Sequence, residues 1–226
     1  MLQDLPAYVA IISCLTVILT FFLFISAVKS KGITSLIALF WLLLTGILAY
    51  RGFFQDTATI PPRLMLAMAP PLIFIILLLV TSKGRLYIDR LDLKNLTLLH
   101  IVRIPVEVIL YLLASYKFIP ELMTFAGRNF DILSGITAPI VYFICFKNGV
   151  VKNRRLLLWW NSLCLGLLLN IVINAVLSAP FRFQTFAFDQ PNVAILYFPF
   201  TWLPCFIVII VLFSHLAAIQ KLLRKS

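Results

Sequence analysis

The chain has 226 residues, of which 62% are hydrophobic and only 12% charged, whereas soluble domains carry about a quarter charged residues, so a water-soluble fold is excluded. Its formal charge of +11 is held in short clusters between apolar runs and not along one soluble face, which excludes nucleic acid as a partner. Cys14, Cys145, Cys164 and Cys205 fall inside or at the ends of apolar runs without CxxC spacing; they read as small buried hydrophobes, not as a disulfide or zinc framework.

Taken in order, apolar segments bounded by charges or turn residues cover 7–28, 33–50, 63–81, 95–116, 131–146, 156–179 and 194–219. A spanning helix needs about 20 mostly apolar residues, and backbone groups in lipid must be satisfied internally, so the segments are predicted to be helices. The predicted fold class is all-α: a bundle of seven transmembrane helices, one membrane domain over residues 1–226 with short loops.

Alternate loops differ in Lys and Arg. One set holds thirteen, including Lys29, Lys31, Lys83, Arg85, Lys152, Arg155, Lys221 and Lys225; the other holds five, Arg51, Arg63, Lys117, Arg128 and Arg182. The positive-inside rule then places the N-terminus outside and the C-terminus in the cytoplasm. The basic loops are expected to lie against anionic lipid head groups. The outer loops are rich in Phe, from Phe53 and Phe54 to Phe181, Phe183, Phe186 and Phe188. That pattern fits an interfacial aromatic belt or a lid over a pocket.

The fourth segment carries His100, Arg103 and Glu107 inside an otherwise apolar run. Their i, i+3, i+7 spacing puts them on one helical stripe, with Arg103 and Glu107 at i, i+4 spacing and able to pair. Ionisable groups at such depth are expensive and mark either a binding or proton-relay face or a helix-fastening ion pair. Asn170 and Asn174 form a second i, i+4 polar pair on the sixth segment, so the expected site is Arg103, Glu107, Asn170 and Asn174. Helix kinks are expected at Pro70, Pro71, Pro105, Pro139 and Pro204. Arg63, Arg128 and Asp131 are expected at the outer face, with Asn129 or Asp131 capping the fifth helix. His100 and His215 each lie six residues from a basic cluster; they read as shallow interfacial residues, and the alternative is a pair of b-type haem ligands.

The stretch GRNFDILSGITAPIV, with RIPVE upstream, resembles small uncharacterised bacterial membrane proteins, a resemblance that implies a bacterial cytoplasmic membrane and no assigned activity. The helix number and orientation are similar to rhodopsins, but the last segment has no lysine for a Schiff base. A SWEET-like arrangement lacks its PQ motif. No GxSxG, HExxH or phosphate-loop motif is present. The sequence therefore predicts no cofactor, no metal, and a carrier or binding protein for a small polar or amphipathic molecule; the alternatives are an accessory membrane protein without a ligand and a haem or redox protein.

Overall fold

A computed structural model describes residue 2 and residues 5–224; Lys225, in the last basic cluster, lies outside the described residues. Apart from one short hairpin the described protein is all-α. Its helices are α1 (Ala7–Ala27), α2 (Lys31–Tyr50), α3 (Arg63–Val80), α4 (Ser82–Asp89), α5 (Leu93–Ser115), α6 (Ile132–Cys145), α7 (Arg154–Leu177) and α8 (Leu203–Arg224). Six of them, α1, α2, α3, α5, α7 and α8, are long and apolar enough to cross a membrane. Large apolar side chains such as Phe22, Phe40, Phe74 and Trp159 are exposed on their outer surfaces, where only lipid makes such exposure tolerable. The chain is a polytopic membrane protein.

The segment expected at 131–146 is different. Its helix, α6, has 14 residues, a rise of about 21 Å against a hydrocarbon core of about 30 Å. It begins deep in the bundle: a carboxylate oxygen of Asp131, just before its first turn, lies 2.7 Å from the guanidinium of Arg103. After α6 the chain reverses through the antiparallel strands Phe146–Lys147 and Val150–Val151. The turn between them, Asn148-Gly149, has positive φ at both residues, the conformation Asn-Gly favours in a tight hairpin.

Three other features depart from straight helices. Pro105 has no N–H for the carbonyl of Ile101, and α5 tightens into a 3-10 turn over His100–Val102. The last helix starts nine residues later than the expected 194, at Leu203, because residues 194–196 form a separate 3-10 turn before Pro199. It then opens as a π-type turn over Leu203–Ile207 around Pro204. Trp41 of α2 donates its indole N–H to the Cys205 carbonyl (3.0 Å), and Trp202 donates in return to the carbonyl of Leu42 (3.1 Å). Helix α3 runs through Pro70 and Pro71, and α6 through Pro139, without a break in the helical assignment.

The short helix α6 meets α5 at Gly135. A Cβ there would lie 2.8 Å from Ile104 Cγ1 and 3.3 Å from Arg103 Cβ, so a side chain would push the two backbones apart at the level of Arg103. Overpacking of this kind costs about 1–3 kcal/mol. Gly135→Val is expected to lower the thermal unfolding midpoint of the purified protein clearly, while Gly166→Ala, at a site with open space around its Cα, leaves it unchanged; equal midpoints for Gly135→Val and the parent would contradict the close contact.

Candidate functional site

Arg103 and Glu107 lie on one stripe of α5 and are both buried, at 2% and 1% exposure. They do not pair with each other. Nη1 of the Arg103 guanidinium forms an ion pair with Asp131 Oδ1, 2.7 Å away, and donates more loosely to the Cys164 carbonyl of α7 at 3.5 Å. Glu107 instead accepts from Asn129 Nδ2 at 2.5 Å. The same amide donates to the Met123 carbonyl (3.0 Å), and Asn129 Oδ1 accepts the backbone N–H of Asp131 (3.0 Å). The segment expected as an outer loop is thus drawn down onto α5. Asn129 and Asp131 belong to the centre, which corrects the expected surface position of Asp131.

Local backbone chemistry allows this descent. The chain doubles back so tightly before Asn129 that a Cβ on Gly127 would lie 2.5 Å from Leu122 Cα and from the Glu121 carbonyl oxygen. Within this stretch Met123, Thr124, Asn129 and Asp131 are buried, while Phe125, Arg128 and Phe130 are exposed.

The other expected members go elsewhere. Asn170 is exposed and donates to the Arg128 carbonyl (2.8 Å), while Asn174 donates back to the Asn170 carbonyl (2.9 Å). They hold the loop before α6 to α7, and neither lines the cavity beside Arg103. Arg63 is tied to Asp56 at 2.5 Å and covers the Phe53 ring at 4.8 Å. The Arg128 side chain is exposed.

His100 and His215, expected as interfacial residues, are both buried inside the bundle, with rings stacked 3.8 Å apart and 13° from parallel. His215 Nδ1 meets Asn161 Oδ1 at 3.0 Å, and Trp160 packs edge-on to His100. Two haem ligands must point at one iron from opposite faces of a macrocycle. Stacked rings leave no such space, so this pair does not fit a haem.

A cavity of about 400 Å³ adjoins the polar centre, within the range of ligand pockets. Its walls come from α3 (Leu64 to Leu72), α5 (Arg103 to Leu110), α7 (Leu168 to Val176) and α8 (Leu203 to Val211), with Met123, Phe181 and Ile195 at the end where α3 starts. Every lining residue is apolar except Arg103, Glu107 and Asp131. Of the loop phenylalanines expected at the outer face, Phe181 lines this space, while Phe183 and Phe188 are exposed.

The domain family described as a domain of unknown function, DUF8737, matches residues 60–223. The chain belongs to this family. Neither the curated proteins nor the solved structures give a match. The segment shared with the DUF8737 family runs from just before α3 to the end of α8 and contains the cavity walls and the whole polar centre, leaving α1 and α2 outside it.

Among the described residues, the Asn129 amide is the group that ties Glu107 to the descending loop. Removing one partner of a buried hydrogen bond to an ionisable group costs about 1–3 kcal/mol or more. Asn129→Ala is expected to lower the unfolding midpoint and to speed proteolysis within residues 117–130; a parental midpoint and cleavage pattern would show that the loop is held by other contacts.

Proposed function

We propose that the chain is a carrier or binding protein for a small amphipathic molecule, with its apolar part in the cavity and its polar end at Arg103, Glu107 and Asp131. The observation that carries this reading is the cavity itself: an apolar space of about 400 Å³ ending on a buried ion pair is matched by a ligand that is apolar along its length and polar at one end. Interrupted helices line ligand sites in many transporters, and here the π-type turn of α8 contributes Leu203, Pro204 and Ile207 to the wall.

The same proposal includes the topology: N-terminus outside, C-terminus in the cytoplasm of a bacterial cell, basic loops on anionic head groups, and seven crossings in which α6 and the loop before it traverse the membrane together. The Lys and Arg imbalance between alternate loops supports it. Single cysteines introduced as Asp189→Cys and Lys152→Cys, both exposed positions, test it in intact cells. A membrane-impermeant maleimide is expected to label the first and not the second; the opposite pattern would invert the topology.

A second reading, an accessory protein whose charges only fasten helices, is favoured by the Arg103 to Asp131 pair, which ties α5 to the start of α6. Filling the cavity separates the two readings. Tritiated decanol, measured on the purified chain in lipid nanodiscs against empty discs, is expected to bind saturably. Ala175→Trp, or the milder Val172→Phe, is expected to weaken that binding at least tenfold with little change in the unfolding midpoint. Equal binding by the filled variants and the parent would remove the cavity as the site.

A further inference from the structure

The polar centre beside the cavity, which Arg103, Glu107 and Asp131 line, is incompletely satisfied. Arg103 uses only Nη1 toward protein; among the described residues neither its Nε nor its Nη2 has a hydrogen-bond partner, although both are buried. These two nitrogens form the side edge of the guanidinium, whose parallel N–H groups match two oxygens of one carboxylate or phosphate. Two acceptors there are unmet as well, among the described residues: Glu107 has Oε1 held by Asn129 and Oε2 buried without a partner, and Asp131 Oδ1, although ion-paired with Arg103 Nη1 at 2.7 Å, accepts no hydrogen bond.

From this edge we infer the head-group class: the cavity takes a single-chain amphiphile with an oxyanion head, a carboxylate or a phosphate ester, held bidentately by Nε and Nη2 of Arg103. The inference rests on the reading of the cavity as a binding site and specifies its ligand. Two carboxylates beside one guanidinium would suit a lipophilic cation by charge count alone. A cation, however, brings no acceptor, and would leave both Arg103 donors buried and unmet, at the full cost of their desolvation. An oxyanion satisfies both at once. The alkyl chain then runs along the walls from Arg103 toward Phe181, past Met68 and Ala175; the helical rise from Leu64 to Leu72 is about 12 Å, enough for a medium-length chain.

The test is competition for the tritiated decanol site on the full chain in nanodiscs, with decanoate, decyl phosphate and decyltrimethylammonium as competitors. The expected result is that decanoate or decyl phosphate displaces decanol at least tenfold more effectively than decyltrimethylammonium, the stronger of the two identifying which oxyanion is preferred. Arg103→Lys, which keeps the charge and loses the two-pronged edge, is expected to abolish most of that advantage, read as the ratio between competitors within the variant and so independent of its own affinity for decanol. Preferential displacement by decyltrimethylammonium, or an oxyanion advantage in Arg103→Lys as large as in the parent, would overturn the head-group assignment and leave the cavity as a binding site. Should Arg103→Lys fail to fold, the ranking of the three competitors on the parent protein decides. Absence of saturable decanol binding, with no competitor binding either, would remove the cavity reading together with the inference.

Discussion

A guanidinium buried in an apolar bundle has to be met by an acceptor at its own depth, and much of this fold follows from how that is done for Arg103. The helix that carries it offers Glu107 one turn further on, yet the pairing partner comes from another element. Asp131 reaches Arg103 because α6 is only 14 residues long and starts inside the bundle. For the helix to start there, the chain before it must descend from the end of α5, turn within protein, and satisfy its own backbone. Gly127 permits the turn, Asn129 supplies the bonds, and Gly135 lets the two helix backbones meet. Breaking a buried ion pair by removing one partner costs several kcal/mol because the other charge is stranded, so these residues depend on one another.

The same arrangement creates an asymmetric interior. On one side of Arg103 the stacked imidazoles of His100 and His215, with Trp160 and Asn161, close the space between α5, α7 and α8. On the other side the walls are apolar and separate into a cavity roofed by Phe181 and Ile195. Proline contributes indirectly. Without an N–H at residue 105 the middle of α5 is tighter than an α-helix, and around Pro204 the start of α8 is wider. Both irregular turns adjoin the centre, Val102 next to Arg103 in the chain and Leu203, Pro204 and Ile207 in the cavity wall.

Much of the helical layout was legible in the sequence, because an apolar run of about 20 residues bounded by charge fits little besides a membrane-crossing helix. The six long helices lie within a few residues of the expected segments, except that α8 starts later, after Pro199 and a turn whose apolar residues Ala194, Ile195 and Leu196 imitate a helix start in hydropathy. Arg103 and Glu107 were legible as anomalies. Their partners were not, since hydropathy assigns polar, Gly-containing sequence such as GRNFD to a loop and has no means of placing a loop in the interior. One sign was present: the segment 131–146 is too short to cross a bilayer as an ordinary helix. Asn170 and Asn174 were misplaced because helical periodicity gives a face, not the neighbour that face meets, and theirs meets the Arg128 backbone. The two histidines looked interfacial by distance from lysines, but contact between α5 and α8 buries them against each other.

Arg103 and Asp131 form one unit across α5 and α6, and a double-mutant cycle measures that unit directly. Unfolding free energies would be compared for the parent, Arg103→Met, Asp131→Leu and the double variant. Each single replacement is expected to cost about 3–5 kcal/mol by stranding a buried charge, and the double variant to recover most of that loss. Additive losses, with a double variant as unstable as the two single costs combined, would contradict the pairing on which the fold and its site depend.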